Sequence, residues 1–220
     1  MHVVLIGPPG FGKGTQARHF AERLGIPSIS SGDLFRAHFR DGTLLGRQAK
    51  KYMDSGALVP DHITMAMVKA RIAAEDAAAG FLLDGFPRNV HQAVLLDGML
   101  AVQGRRLDHV LALKVSTTEV ERRLAGRRAC QSCNLVVNVN FAPPRVSGAC
   151  DTCGGRLIRR EGDRERIIRR RLAACTERTA PLLVRYAALG ILANVDAVGP
   201  VEDVRARILA AVPALAGAGA

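Results

Sequence analysis

The sequence predicts an α/β fold, a parallel five-stranded sheet flanked by helices, on three observations. Short and nearly all-apolar runs recur at residues 3–6, 27–30, 81–83, 110–115 and 191–195, the pattern of strands buried on both faces. Helical periodicity fills the intervals, so each strand hands over to a crossover helix and parallel pairing follows. The first run also breaks into a glycine-rich turn that opens a helix, an order that places backbone N–H groups at a strand's carboxyl end.

Taken in order, the run Val3-Val4-Leu5-Ile6 leads into Gly7-Pro8-Pro9-Gly10-Phe11-Gly12-Lys13-Gly14-Thr15. In the helix that follows (14–24), Ala17, Phe20, Ala21 and Leu24 recur at core spacing while Arg18, Glu22 and Arg23 take the other face. Further helical patterns cover 61–79, 89–103 and 117–124. A long one covers 164–189, and Pro181 should interrupt it. The last helix starts near Pro200 with Val201, Val204, Ile208 and Val212 on one face. The tail 214–220 reads as small residues that fray.

Two stretches leave this alternation. Residues 31–59 form a compact, mostly helical segment rich in Arg, Lys and Asp. Residues 126–163 carry four cysteines, two consecutive prolines and period-2 alternation at Val137, Val139 and Phe141, which points to a small β module. Both fall at strand carboxyl ends, where ligand crevices form in such sheets. The division is a core of 1–30, 60–125 and 164–220 with insertions at 31–59 and 126–163.

The glycine-rich turn carries chemistry. Its glycines let successive N–H groups point into one concavity, and the helix dipole adds partial positive charge there. Lys13 can reach terminal phosphates, and the Thr15 hydroxyl can approach phosphate or its bound Mg²⁺. The pattern G-x-x-x-x-G-K is met by Gly7, Gly12 and Lys13, with Gly14 displacing the hydroxyl by one position. The loop fixes a nucleoside triphosphate as the ligand class.

Cys130-Gln-Ser-Cys133 and Cys150-Asp-Thr-Cys153 are two C-x₂-C knuckles sixteen residues apart. Joined by a hairpin, they would present thiolates tetrahedrally, the geometry of structural Zn²⁺ with no open position for catalysis. The spacing alone also admits two disulfides or a redox-active pair. Four thiolates on Zn²⁺ carry a net charge of about −2, which Arg127, Arg128, Arg145 and Arg156 could offset. Cys175 shares a helix face with Ile168 and Leu172 and reads as a core thiol.

A net charge of +11, mostly arginine, suits either a polyphosphate site or a nucleic-acid groove. Trp is absent and Tyr occurs twice, so a base-stacking platform is poorly supplied. The cysteine segment is expected to lack exposed aromatics, and the six histidines show no metal-ligand spacing. No apolar run approaches the ~20 residues that span a bilayer, and no charged-then-apolar leader precedes Val3. A soluble cytoplasmic protein without membrane or nucleic-acid partners is expected.

Several motifs together resemble one family. The phosphate loop, Ser30-Ser31-Gly32-Asp33-Leu34-Phe35-Arg36, Asp84-Gly85-Phe86-Pro87-Arg88 with Gln92, and Gly126-Arg127-Arg128 are similar to adenylate kinases. The cysteine module resembles the zinc-bearing lid of their long bacterial form. The resemblance covers essentially the whole chain. It implies Mg²⁺-dependent transfer from ATP to AMP giving two ADP, a monomer, a P-loop NTPase-type core, a monophosphate-binding segment at 31–59 and a lid at 126–163. By the same resemblance Gly10, Gly12, Lys13, Gly14, Thr15, Arg123 and Arg127 hold ATP. Ser31, Arg36, Ala57, Val59, Gly85, Arg88 and Gln92 hold AMP. Lys13, Arg88, Arg123, Arg160 and Arg171 surround the phosphates, and Asp84 orders Mg²⁺ and its waters. A kinase for another monophosphate, such as a pyrimidine nucleotide, stays open.

Four departures stand out. Gly162 replaces an acid, so an acidic partner for the lid arginines is expected to be missing and the hinge freer. Val137 and Asn138 stand where an aromatic and a histidine are common, which should weaken contact with the ATP base or ribose. Phe11 is bulky for its loop position and must point away from the phosphates. Ser31 keeps a hydroxyl but lacks the methyl of the usual Thr.

Overall fold

In the computed structural model, residues 1–160, 163 and 165–216 are described, without the side chains of residues 165, 171 and 174. The chain runs β1 (His2–Ile6), α1 (Lys13–Leu24), β2 (Ser28–Ser30), α2 (Ser31–Arg40), α3 (Leu44–Ser55), α4 (Asp61–Ile72), β3 (Phe81–Asp84), α5 (Val90–Ala101), β4 (His109–Lys114) and α6 (Thr117–Ala125). It continues through β5 (Arg127–Cys130), β6 (Val136–Asn138), β7 (Leu157–Ile158), α7 (Glu165–Ala188), β8 (Leu192–Asp196) and α8 (Val201–Ala211).

The five expected strands form one sheet in the order β2-β3-β1-β4-β8, all neighbours parallel. From β1 the chain steps to one side for β2 and β3, then lays β4 and β8 on the other. The crevice outside the carboxyl end of β1 is therefore a topological switch point, where α/β sheets bind ligands. Side chains of β1 alternate between two cores. Val3 and Leu5 pack with Phe20, Leu111, Val120, Leu124 and Ile208 on one face. Val4 and Ile6 pack with Val68, Leu83, Leu96, Leu182 and Tyr186 on the other. This period-2 alternation within an all-apolar run is what burial on both faces requires.

Some element expectations are corrected. α7 runs unbroken through Pro181. The proline removes one N–H and crowds the preceding turn, but Leu182 and Tyr186 just beyond it are fully buried. Arg185 Nη2 also donates to Asp97 on α5 at 2.7 Å, so tertiary contacts hold the helix together. α4 stops at Ile72 instead of 79, and a 3₁₀ turn Glu75–Ala77 follows. Arg71 clamps Asp76 with bonds of 2.8 and 2.6 Å and so fixes that turn. Val201 is exposed while Val204, Ile208 and Val212 are buried, so the apolar face of α8 starts one turn later. The tail is not merely frayed. Pro213–Ala216 form a 3₁₀ turn that buries Leu215 completely, and residues 217–220 lie outside the described residues.

The helical insertion has its own small core. Phe35, Ala49, Val59, Ile63 and Met67 tie α2 and α3 to α4. The cysteine insertion holds a three-stranded antiparallel sheet, β6-β5-β7. Its β6 spans only Val136–Asn138, so alternation does not continue to Phe141. Among the described residues no helix is long and apolar enough to cross a membrane.

Candidate active site

The loop after β1 is shaped by backbone. Gly10 and Gly12 hold φ of 87° and 82°, which L side chains rarely adopt. A Cβ on Gly10 would also lie 2.9 Å from Leu124 Cγ, so the loop lies flat on α6. Phe11 is buried in the core beside α6, pointing away from the loop's interior as expected. Gly12 caps α1, leaving first-turn N–H groups and the dipole for an anion. Lys13 is buried; its Nζ donates to Pro8 O at 2.8 Å and stands 3.8 Å from Asp84 Oδ1. Gly14 leaves the space beside that carboxylate open, since a Cβ there would sit 3.5 Å from Asp84 Oδ2. Thr15 is exposed in the first turn of α1.

The neighbouring strands complete a second rim. Ser31 is buried and its Oγ donates to Gly85 O at 2.8 Å. Arg88 Nε donates to the same carbonyl at 2.6 Å, and its Nη2 lies 3.4 Å from Ser31 Oγ. Gln92 is buried on the first turn of α5, where Asn89 caps the helix by accepting from Gln92 N–H at 2.8 Å. Arg36 pairs with Asp33 one turn earlier on α2. Burial alone would raise the Asp33 carboxyl, but Arg36 outweighs it and holds Asp33 below the usual carboxylate range. Ala57 and Val59 lie on the link between α3 and α4, with Val59 buried.

The helix α6 and the cysteine insertion after it bring further arginines. Arg123 Nε donates to Glu119 Oε1 at 2.8 Å and Nη2 to Ala197 O at 2.9 Å, beside the phosphate loop. A Cβ on Gly12 would lie 3.8 Å from Arg123 Nη1. Arg127 grips the fully buried Asp163 through two parallel bonds, one of 2.7 Å from Nε. Arg159 donates to Asp163 O at 3.0 and 2.7 Å. Asp163, the acid that remains beside Gly162, thus serves both Arg127 and Arg159, while Gly162 itself lies outside the described residues. Arg160 is pushed down to about 10 by burial, then by Arg36 and Arg127. Arginines of the two insertions therefore converge, and Asn134 shares a cleft with Asp33, Arg36, Ala37 and Arg40 of α2. Such a gathering of cations stores repulsion that a polyanion relieves. The side chain of Arg171, on α7, lies outside the described residues.

Asn138 does something other than expected. Its Nδ2 donates to Arg123 O at 2.8 Å and its Oδ1 accepts from Asn140 N–H at 3.0 Å. Asn140 Nδ2 donates to Arg122 O at 3.3 Å. The two amides thus satisfy carbonyls left open at the C-terminus of α6. They do so across Gly126, where a Cβ would lie 2.4 Å from Asn138 Oδ1.

The four sulfurs of Cys130, Cys133, Cys150 and Cys153 lie within 4.8 Å of one another, the only such metal-capable group among the described residues. Cys130 and Cys153 are 3.4 Å apart and Cys133 and Cys150 3.7 Å, far from disulfide length. A tetrahedron with Zn–S of about 2.3 Å has edges of about 3.8 Å, so the donors fit zinc. Backbone N–H groups of Cys133 and Ser132 lower the Cys130 thiol to about 6, favouring thiolate. Arg127 pairs with Asp163, and Arg128 donates to the carbonyls of Ala125 and Arg127. Cys175 is half-buried, 3.4 Å from Thr179 Oγ1, on the edge of the core rather than within it. The insertion also has an exposed aromatic after all: Phe141, with Arg122 4.5 Å above its ring.

Comparison with known proteins decides the family. The family model for adenylate kinase matches residues 5–191. The chain belongs to the adenylate kinase family. It is 58% identical over 212 residues to an adenylate kinase of Acidothermus cellulolyticus, covering 96% of this chain and 98% of that one. It is 50% identical over 214 residues to that of Citrifermentans bemidjiense (97% and 100% covered) and 51% over 213 to that of Streptomyces avermitilis (96% and 97%). The chain is accordingly a nucleoside monophosphate kinase, a phosphotransferase with an adenylate-kinase fold.

Sequence reasoning missed the groups that hold these side chains: Asp163 under Arg127, Glu119 under Arg123, Asp61 under Gln92, and the asparagine pair at α6. For Glu119 a signal existed, since Glu and Arg four apart on a helix face one another. For the others the partner is 15 to 36 positions away and no spacing rule finds it.

Proposed function

We propose that the chain catalyses reversible phosphoryl transfer from Mg·ATP to AMP, giving two ADP, as a cytoplasmic monomer that acts on free nucleotides and not on nucleic acid or membrane. The observation that carries the reading is a pair of cation clusters, Lys13 and Arg123 at the phosphate loop, and Arg36, Arg127 and Arg160 gathered between the two insertions. Phosphoryl transfer needs little covalent help from protein; it needs two polyanions brought into line and the spreading charge stabilised.

In this reading Gly10, Gly12, Gly14, Thr15 and Lys13 hold the ATP phosphates, with Arg123 and Arg127 closing from above. Ser31, Arg36, Ala57, Val59, Gly85, Arg88 and Gln92 hold AMP, the forked guanidiniums of Arg36 and Arg88 taking its phosphate. Arg160, already beside Arg36, and Arg171 join them, and the lid, 126–163, held over the monophosphate segment, 31–59, excludes water that would otherwise receive the phosphoryl group. Thr15 and Asp84 offer the oxygen donors Mg²⁺ prefers, and the ion would neutralise phosphate charge. Zinc on the four cysteines would stiffen the lid without entering the chemistry.

A coupled assay with ATP and each of AMP, UMP, CMP and GMP, on protein of known metal content, tests this. AMP should be the best acceptor, with about one zinc per chain. Better turnover of another monophosphate would refute the acceptor assignment, and full thermal stability after chelation would refute the structural metal.

A further inference from the structure

Asp61 is the first residue of α4, yet its carboxylate serves α5. Its Oδ1 accepts from Gln92 Nε2 at 2.7 Å and from Asn89 Nδ2 at 3.1 Å, and Oδ2 faces His91 Nδ1 at 2.8 Å. At the other end of the same amide, Gln92 Oε1 accepts from Arg88 N–H at 2.7 Å. The amide is held between a carboxylate, which only accepts, and a backbone N–H, which only donates. One of its two orientations satisfies both: nitrogen toward Asp61, oxygen toward Arg88. The reverse sets oxygen against carboxylate and NH₂ against N–H, in a side chain only 2% exposed, where water cannot repair the loss. Burial would raise the Asp61 carboxyl, but hydrogen bonds from His91, Gln92 and Asn89 outweigh it and keep it ionised.

We propose that Asp61 is a positioning residue that fixes the order of donor and acceptor on Gln92 and so sets which bases the acceptor site takes. This rests on the reading that Gln92 meets the base of the acceptor nucleotide. After both clamps are made, the amide keeps one N–H and one lone pair, on neighbouring atoms and in a set order. Adenine matches that order, with an exocyclic amine that donates beside a ring nitrogen that accepts; cytosine carries the same pair on a smaller ring. A 6-oxo purine reverses it, with a carbonyl beside a ring N–H, and uracil does likewise. A site built to hydrogen-bond one pattern rejects the reverse because its own groups are left unpaired.

The test is Asp61→Asn, assayed with AMP and with inosine monophosphate, which differs from AMP only in this donor–acceptor edge. The asparagine can donate or accept, so the carboxylate's share of the clamp is lifted and only the Arg88 N–H still opposes the reversed amide. The preference for AMP in kcat/KM should fall several-fold, chiefly through KM, with kcat for AMP nearly kept, since one of the two orienting contacts is lost. An unchanged preference overturns the proposal, as does a proportional loss with both acceptors, which would mark Asp61 as merely structural. Gln92→Ala separates the two levels. If that variant keeps the KM for AMP, the base-contact reading fails and the proposal with it. If its KM rises while Asp61→Asn keeps the preference, only the role of Asp61 fails. Should Asp61→Asn not fold, neutron diffraction from the unsubstituted protein distinguishes N from O directly, and an amide oxygen facing Asp61 overturns the proposal.

Discussion

The phosphate loop and the cysteine insertion are built by opposite means. The loop is a backbone device: left-handed glycines, a helix N-terminus, and a floor of Val120 and Leu124 beneath Gly10. The insertion is a side-chain device. Arg127 on Asp163, the asparagines on α6 and four clustered sulfurs hold it, with a small core of Cys130, Cys150 and Leu157 against which Leu135 and Val137 pack. The difference teaches where each can fail. A backbone site tolerates change around it but not within it, whereas a side-chain site loses function through partners that touch no substrate.

The sharpest break in that contrast is Lys13→Ala, which removes the loop's one long side chain. It should lower kcat about 10²–10³-fold, as loss of a preorganised charge does, with the melting temperature nearly unchanged; a coupled ADP assay beside calorimetry reads both. Cys130→Ser should show the reverse split. Losing one sulfur should cost several kcal/mol, lowering the melting temperature by about 10 °C, while turnover at low temperature is largely retained. Equal loss of both, with the fold intact, would make the metal catalytic.

Asp163→Asn probes the missing-partner question. It leaves the half-buried Arg127 guanidinium without its countercharge, so stability should fall by about 1–2 kcal/mol, and kcat by roughly tenfold as Arg127 loses its orientation. Denaturant titration and steady-state kinetics check it; a variant as active as the parent would show that Arg127 needs no anchor. The mildest change is Asn138→Ala, which uncaps Arg123 O. It should cost about 1 kcal/mol and raise the KM for ATP modestly, with the KM for AMP unmoved.

The same contrast explains what could be read in advance. All five strands and the loop were legible because period-2 burial and glycine geometry are local codes. Cysteine spacing was legible too, since ligand pairs sit within one turn. What Asp163 holds was not legible, because its contact with Arg127 lies 36 positions back along the chain. Pro181 misled because local propensity says nothing of Arg185 reaching Asp97. Asn138 was judged for what it could offer a base, when its amide is spent on a helix end. Partnership across sequence distance, not residue type, was the hidden variable.

One short strand carries a consequence of its own. Because Val3 and Leu5 fill one core while Val4 and Ile6 fill the other, β1 works as a vernier between packing and chemistry. Sliding it by a single residue would swap every side chain to the wrong layer, and would displace the loop that starts at Gly7 by one strand rise, about 3.3 Å. That is the length of a hydrogen bond. The fit of four apolar side chains therefore keeps the lysine in phase with the phosphates it meets.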